Sequence, residues 1–484
     1  MVTNEREAAY CQRLVNEALL ELRHREGGPV HINFPINQSI EQIADASAST
    51  LPAVKPIFRI CQEDPKEKWQ EKAECLQRAK RILIICGSGL PTTKAEQESV
   101  ELFFERFNCV FAVEPLSNLN ANGCVNTYLL GEAITGEVVR TEIKPDLIIF
   151  FGNNFVSRWK AMLKYKKDLC MSWQITRDGE IKDPFMNLEC VFECSPFYFF
   201  RRMVEESGNS KNNYAIYKKV SAMAESVQLP DYSAIVQEVS KSRRPEDRID
   251  ENCLSAFGAI RALMAQIPPR SLLHLSILNS TRISQMFDLP EGVSVYSNIG
   301  TDGIDGSMST FLGQARATER PCFLVIGDLS FFYDMNSISI RDIGKNVHIL
   351  LINNGGGAEF YFSMGPKLLP NIDRHISAAH QHTAKAWVES NGWEYLSANN
   401  MKGFENEIRE FIRENQRPKI MEIFTDKMND VTILKTVRRM IQLKTGSAAL
   451  AEKMEQIPIV NHVLQTDTGK NIKEKMKSGF RKFF

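Results

Sequence analysis

The chain has 484 residues, and its 59 Lys and Arg balance 59 Asp and Glu, so its formal net charge at pH 7 is zero. A neutral chain has no global field that favours nucleic acid, and we expect no nucleic-acid partner. A hydrophobic content of 43% supplies cores for two to three domains. The eleven cysteines form no CxxC pair, and no apolar run reaches the ~18 residues that span a membrane. These features favour a cytoplasmic, reduced protein without a zinc site.

The N-terminal residues 1–45 contain the patterns of one helix and one strand. Apolar residues recur at helical spacing from Cys11 to Leu22, and Gly27-Gly28-Pro29 ends that helix. Residues 30–35 (VHINFP) are typical of a strand closed by proline. One helix and one strand bury too little surface to fold alone. They predict the last part of a larger domain; alternatively, the strand joins the next sheet.

Residues 50–235 predict a complete α/β domain. Short apolar runs alternate with amphipathic stretches, as in a parallel sheet. The runs occupy residues 81–86, 109–113, 146–151 and 189–192. The turn Gly87-Ser88-Gly89 either cradles a phosphate or only reverses the chain, and the absence of a third glycine favours the plain turn. The charged segment 236–251 then predicts a linker.

A second α/β domain is predicted over residues 252–430, and its polar turns indicate a ligand site. Apolar runs end in Gly327-Asp328-Leu329-Ser330 and in Asn353-Asn354-Gly355-Gly356-Gly357, with a helix predicted over about 333–343. Turns at the carboxyl ends of parallel strands share the ligand-binding edge of a sheet, and a right-handed crossover makes them neighbours. A carboxylate, an amide oxygen and a freed backbone carbonyl suit Mg²⁺ that carries a diphosphate.

Two turns precede these in the same domain. Asn279-Ser280 follows the apolar run 272–278, and a glycine-dense segment, 297–306, follows the run 293–296. So much glycine after a strand means that the backbone takes positive φ or approaches a partner closely. This favours a ligand-facing turn over a surface turn.

Four motifs occur in order and at suitable spacing: GPVHINFP, SNIGTDGIDGSMST, GDLSFFYDMNSI and NNGGG. Together they resemble those of thiamine-diphosphate (ThDP) enzymes. The resemblance is to the menaquinone-pathway synthases of 2-succinyl-5-enolpyruvyl-6-hydroxy-3-cyclohexene-1-carboxylate, in which GDL replaces GDG and a GIDG turn binds the cofactor. It covers the chain to about residue 430. It implies two doubly wound parallel-sheet α/β domains, central and diphosphate-binding, with a remnant of a pyrimidine-binding domain at residues 1–45.

The resemblance also implies the roles of individual residues. Asp328, Asn354 and the carbonyl of Gly356 would hold Mg²⁺. The cofactor contacts would come from Asn279, Ser280, Gly303, Ile304, Asp305, Gly327, Ser330 and Gly356. Ile304 would bend the cofactor, and ThDP would supply carbanion chemistry. A 2-oxo acid such as 2-oxoglutarate would then lose CO₂ and pass its acyl anion to an acceptor.

One departure from the family concerns the activating glutamate, which the family carries in the pyrimidine-binding domain. About 150 residues of that domain have no match here, so no residue of this chain inherits the role. We expect poor turnover without a partner chain that carries this domain, in a hetero-oligomer. A truncated product, a homodimer, a 2-oxo acid decarboxylase subunit and a non-catalytic or regulatory ThDP-fold subunit are the alternatives.

A second departure concerns the substrate pocket. Ile299 stands where the family has an arginine that binds substrate carboxylates, and an aliphatic side chain cannot form that clamp. Arg282 either replaces this arginine or lies on the surface. Ala358 takes the place of a glutamine, and Glu359 after it is either a new acid–base group or a solvent-facing side chain. The donor and acceptor substrates therefore stay open.

Residues 431–484 predict a C-terminal helical extension, with residues 428–443 as the closing helix of the second domain. The last part, 470–484, is basic, with Ile472, Met476, Phe480 and Phe483 roughly on one helical face. This pattern predicts either a helix that contacts a membrane surface or a partner, or one that folds onto its own enzyme.

Overall fold

The computed structural model describes residues 5–33, 55–164, 170–209, 212–241, 248–300, 303–364 and 371–442. The chain separates into two compact units, Met1–Ile441 and Gln442–Phe484. The predicted basic helix at 470–484 lies outside the described residues. Within the described residues, no helix is long and apolar enough to cross a membrane.

Seven parallel strands form the first sheet, in the order β1-β7-β6-β5-β2-β3-β4. They are β1 Phe58–Cys61, β2 Ile82–Cys86, β3 Cys109–Val113, β4 Cys124–Asn126, β5 Leu147–Phe151, β6 Met171–Thr176 and β7 Leu188–Glu193. Every residue of β2, β3 and β5 is buried, because helices cover both faces of the sheet. Strands β1, β4 and β6 were not predicted.

Six parallel strands form the second sheet, in the order β12-β13-β11-β10-β8-β9. They are β8 Leu272–Leu275, β9 Ser294–Ser297, β10 Cys322–Gly327, β11 Val347–Asn353, β12 Glu394–Ala398 and β13 Lys419–Phe424. Strand β10 pairs with β11 from Cys322 opposite Val347 to Gly327 opposite Ile352, so the two strands end side by side. The prediction of two parallel-sheet α/β domains is confirmed.

The helices connect these strands and cover the sheets. In the first part of the chain they are α1 Glu5–Glu21, α2 Lys66–Arg78, α3 Lys94–Arg106, α4 Tyr128–Ala133, α5 Gly136–Val138, α6 Trp159–Leu163, α7 Pro196–Glu206, α8 Ala215–Ser226 and α9 Tyr232–Lys241. The second part contains α10 Ala256–Met264, α11 Asn279–Ser284, α12 Ser307–Ala315, α13 Asp328–Tyr333, α14 Ala358–Met364, α15 Ile372–His375, α16 Lys385–Ser390, α17 Met401–Ile412 and α18 Lys427–Ile441.

The helix predicted over 333–343 is wrong. Helix α13 begins at Asp328, directly after β10, and a separate 3₁₀ turn covers Met335–Ser339. The chain leaves the α-helix at Asp334, whose carboxylate accepts the backbone N–H of Ser309 at 2.7 Å. The carbonyl of Met335 accepts the Trp387 indole N–H at 2.9 Å. These tertiary contacts outweigh the local helical pattern.

The strand predicted at 30–35 is wrong in its described part, because residues 30–33 have no regular structure. The first sheet instead begins at β1. Helix α1 attaches to the segment before β1 through Asn16, whose Oδ1 accepts the Ile57 N–H at 3.0 Å and whose Nδ2 donates to the Lys55 carbonyl at 3.1 Å.

Two predicted boundaries fall inside helices. The predicted linker 236–251 begins within α9, where Val236 and Val239 are buried. The boundary at 430/431 cuts α18, which places Ile433 and Val437 in the core beside the second sheet. The hydrophobic faces of both helices pack against that core, so the charged and polar residues near them do not mark domain ends.

The two α/β domains meet through one hydrophobic core and a specific amide contact. Leu116 and Tyr128, from the first domain, belong to the same buried cluster as Leu273 and Val295 of the second sheet. Asn118 donates from Nδ2 to the Val295 carbonyl at 2.7 Å and accepts the Val295 N–H at 2.8 Å. This side chain therefore satisfies both backbone groups of a residue in strand β9.

Candidate active site

A cavity of about 330 Å³ lies at the carboxyl ends of β10 and β11. The predicted site residues that line it are Asn279, Ser280, Ile304, Gly327, Asp328, Ser330, Asn354 and Gly356. Gly303 and Asp305 are not among the lining residues, and Asp305 is exposed. The crossover between the two strands thus places Asp328 and Asn354 at one cavity, as the spacing predicts.

Asp328 is a buried carboxylate held by backbone donors. Its Oδ1 accepts the Leu329 N–H at 2.7 Å, and its Oδ2 accepts the Gly356 N–H at 2.9 Å. Burial raises the pKa of Asp328, while these two N–H groups and the nearby His380 act to lower it. A buried acidic oxygen cluster of this kind is stabilised when a cation binds to it.

Asn354 presents an acceptor that no group among the described residues satisfies. Its Nδ2 donates to Asp430 Oδ2 at 3.2 Å, whereas its Oδ1 is buried without a hydrogen-bond partner. Asp430 itself is fully buried and also accepts the Thr425 hydroxyl at 2.7 Å and the Ala256 N–H at 2.7 Å. Burial raises the pKa of Asp430 to about 6. The hydrogen bond to Asp430 therefore fixes the orientation of the Asn354 amide. Its NH₂ group faces Asp430, and its oxygen faces away from Asp430.

Gly356 takes φ +141°, and a Cβ there would lie 2.7 Å from the Ser377 carbonyl oxygen. Only glycine is compatible with this backbone. The Gly356 carbonyl accepts the Ala358 N–H at 3.0 Å. The prediction of a freed carbonyl is therefore wrong, although a carbonyl oxygen with one such bond retains a second lone pair for a cation.

Another part of the cavity lining begins with a strained residue. Leu278, which precedes helix α11, has φ +61° and ψ −122°. Residues other than glycine rarely adopt this backbone conformation. The next residue, Asn279, carries a buried Oδ1 without a hydrogen-bond partner. Ser330 accepts the Ser276 hydroxyl at 3.2 Å. The strain at Leu278 brings Asn279 and Ser280 to the cavity.

The sequence prediction missed His380. Its Nε2 lies 3.2 Å from Asp328 Oδ2, although its N–H is not aligned for a regular hydrogen bond. The ring Nδ1 accepts the His382 N–H at 3.1 Å, which places the proton of the neutral ring on Nε2. The ring also stacks on His382 and meets Phe332 edge-on. No local motif marks this histidine, which reaches Asp328 through the tertiary fold.

Arg282 and Glu359 form an ion pair beside the cavity, with Nη1 and Oε2 2.5 Å apart. Their side chains are 30% and 17% exposed, so Glu359 does not simply face solvent, whereas part of the Arg282 side chain remains at the surface. Glu359 lines the cavity. Ile299, at the expected arginine position, packs against the hydrophobic core. Arg282, the alternative substrate-binding arginine, is thus already paired with Glu359.

The Gly87-Ser88-Gly89 turn is a plain turn. Its three backbone N–H groups donate to the carbonyls of Phe151, Asn154 and Leu116 at 2.8, 2.8 and 3.0 Å. None of them is available to a phosphate. By contrast, the glycine-dense turn contains the expected positive φ at Gly306, +75°.

No protein-family model matches the chain. It is 31% identical over 454 residues to a 2-succinyl-5-enolpyruvyl-6-hydroxy-3-cyclohexene-1-carboxylate synthase of Bacteroides thetaiotaomicron, which covers 92% of this chain and 76% of that relative. The Bacteroides fragilis synthase is 31% identical over 433 residues, and the match covers 88% of this chain and 73% of that relative. The Phocaeicola vulgatus synthase is 30% identical over 440 residues, and the match covers 90% of this chain and 74% of that relative.

The two parallel sheets and the cavity at their carboxyl edge, taken with these relatives, define the class as that of ThDP-dependent enzymes. A match over 92% of the chain extends into both domains. The chain belongs to the family of 2-succinyl-5-enolpyruvyl-6-hydroxy-3-cyclohexene-1-carboxylate synthases.

Proposed function

We propose that the chain binds ThDP through Mg²⁺ and acts on a 2-oxo acid as a decarboxylating carboligase. The observation that carries this proposal is the buried, unpartnered Oδ1 of Asn354, at the same cavity as Asp328 and Gly356. A buried acceptor without a donor costs free energy, and a cation that binds it removes that cost. Two side-chain oxygens and a carbonyl are the hard ligands that Mg²⁺ prefers.

Each residue contributes a separate function in this proposal. Asp328 supplies the negative charge, Asn354 the amide oxygen, and Gly356 the carbonyl of the metal site. Asn279 offers a second unpartnered oxygen at the same cavity. Ile304 supplies an apolar surface at the same cavity. When bound, ThDP supplies the carbanion chemistry, and the protein orients it and excludes water from it.

We also propose that none of the described carboxylates that line the cavity is the group that activates the cofactor. Of the carboxylates that line the cavity, Asp328 and Asp430 accept several protein donors and Glu359 is paired with Arg282. A pyrimidine-binding domain, on another chain or in a longer polypeptide, would supply the glutamate. Mixing this chain with such a domain should raise CO₂ release from 2-oxo acids; equal rates with and without it contradict this part of the proposal.

Calorimetry tests the cofactor assignment without requiring turnover. ThDP is titrated into the full chain in Mg²⁺ and again in EDTA. We expect binding in Mg²⁺ and a loss of at least about tenfold in affinity in EDTA, because the diphosphate is held through the metal. Thiamine without the diphosphate is the matched ligand control. Equal ThDP affinity in the two buffers refutes the metal assignment, and no ThDP binding in either refutes the proposed function.

A further inference from the structure

Asp430 is a buried carboxylate that joins three segments of the chain beside the cavity. It lies in the first turn of α18. Its Oδ1 accepts the N–H of Ala256, at the start of α10, at 2.7 Å. Its Oδ2 accepts the hydroxyl of Thr425, directly after β13, at 2.7 Å and the Nδ2 of Asn354 at 3.2 Å. Both oxygens of Asp430 therefore accept hydrogen bonds, and Asn354 is one of three donors.

The contact with Asp430 determines which end of the Asn354 amide remains for another ligand. An ionised carboxylate accepts hydrogen bonds and donates none, so the NH₂ group of the amide must face Asp430. The amide oxygen is then left buried, without a hydrogen-bond partner among the described residues. In the opposite orientation two oxygens would meet, and the NH₂ group would take the place of the free oxygen. An amide NH₂ group offers no lone pair to a cation, so only the observed orientation suits a metal ligand.

We propose that Asp430 is a positioning residue of the metal site, which holds Asn354 with its amide oxygen toward Mg²⁺ and does not itself bind the ion. This inference rests on the proposed function, because it concerns the same metal site. Replacement of a group that orients a metal ligand through a hydrogen bond typically lowers metal affinity by about ten- to a hundredfold. Loss of the hydrogen bond from Asp430 should therefore weaken Mg²⁺ binding although Asp328 and Gly356 are unchanged.

The substitution Asp430→Asn should reverse the Asn354 amide. The N–H of Ala256 is a backbone donor that cannot turn, so the oxygen of the new side chain stays beside it. The new NH₂ group then takes the place of Oδ2, toward Thr425 and Asn354. The Thr425 hydroxyl can turn and accept a hydrogen bond, whereas Asn354 can accept one only if its amide flips. The flip replaces the oxygen that faces the metal site by an NH₂ group.

A double-mutant cycle tests whether Asp430 acts through this amide. Asp430→Asn is made in the wild-type chain and in Asn354→Ala, which has no amide to orient. Calorimetry of the full chain in saturating ThDP measures Mg²⁺ affinity at pH 8, above the pKa of Asp430, which burial raises to about 6. The loss of affinity should be at least about tenfold larger when Asn354 is present. A change of charge alone, a direct bond from Asp430 to Mg²⁺ or a purely structural role predicts equal losses in the two backgrounds, and equal losses overturn the inference.

Thr425→Val is the matched control, because it removes another hydrogen bond of Asp430 and keeps the one to Asn354. Its free energy of unfolding should fall, whereas its Mg²⁺ affinity should stay within about threefold of wild type; a loss as large as that of Asp430→Asn overturns the inference.

Urea unfolding shows which variants are folded. If Asp430→Asn does not fold, Asp430→Glu takes its place in the same two backgrounds with the same expected difference, since it keeps the charge and displaces the carboxylate by one methylene. A wild-type chain that binds no Mg²⁺ in ThDP refutes the proposed function and this inference with it. Wild-type Mg²⁺ binding with equal losses in the two backgrounds refutes the inference alone.

Discussion

Replacement of Asp328 by asparagine distinguishes the contribution of this side chain to metal binding from its contribution to the free energy of unfolding. The substitution keeps the size of the side chain and removes its charge. In the wild-type protein both carboxylate oxygens accept backbone N–H groups, at 2.7 and 2.9 Å, and the side chain is buried. Asparagine can accept one of these bonds, so its NH₂ group faces the other donor. One unsatisfied buried donor costs about 1–3 kcal/mol, and relief of the buried charge offsets part of this cost.

The effect of this substitution on Mg²⁺ should be larger. Loss of one partner of a buried charge pair costs about 3–5 kcal/mol, so the Mg²⁺ affinity should fall by at least about a hundredfold. Calorimetric titration of Mg²⁺ in saturating ThDP measures the affinity, and urea unfolding measures stability. Asp342→Asn is the matched control, because that side chain is 83% exposed. An Asp328→Asn protein that binds Mg²⁺ within threefold of wild type refutes the role of this carboxylate.

Two further substitutions test a buried carboxyl group of the first domain and the strained residue beside the cavity. Burial raises the pKa of Glu114 from 4.5 to about 7, so the folded protein holds this proton where the unfolded chain has lost it. Raising the pH from 4 to 8 should therefore lower the wild-type free energy of unfolding by about 3 kcal/mol relative to Glu114→Gln, as urea unfolding would show; parallel pH profiles contradict this. Leu278→Gly relieves backbone strain of about 1–3 kcal/mol, so its net cost should stay below about 1 kcal/mol, against more than about 3 kcal/mol for the buried Leu275→Gly. Thermal unfolding compares the two, and equal losses contradict the assignment of strain.

The sequence predicts the parts of this site that local patterns encode. An apolar run that ends in a polar turn identifies both β10 with Asp328 and β11 with Asn354, and parallel pairing then brings the turns together. The GIDG turn and Asn279-Ser280 become interpretable only through the family resemblance. Ile304, from that turn, does line the cavity, whereas Gly303 and Asp305 do not.

The contacts that sequence reasoning missed join distant segments. Asn354 and Asp430 are 76 residues apart, and Arg282 and Glu359 are 77 apart. No periodicity links such positions, because helix packing brings them together. The same applies to the end of α13, where contacts to Asp334 interrupt a pattern that is locally helical. Long-range packing therefore determines which polar side chains are occupied and which face the cavity.

Strand β9 is one of the two outer strands of the six-stranded sheet. An outer strand offers unpaired N–H and C=O groups to strands of other molecules, which is a common origin of aggregation. At Val295 the side chain of Asn118 forms hydrogen bonds with both backbone groups, as a neighbouring strand would. The contact between the two domains therefore also covers part of this edge, and domains that separate would expose it to other copies of the chain.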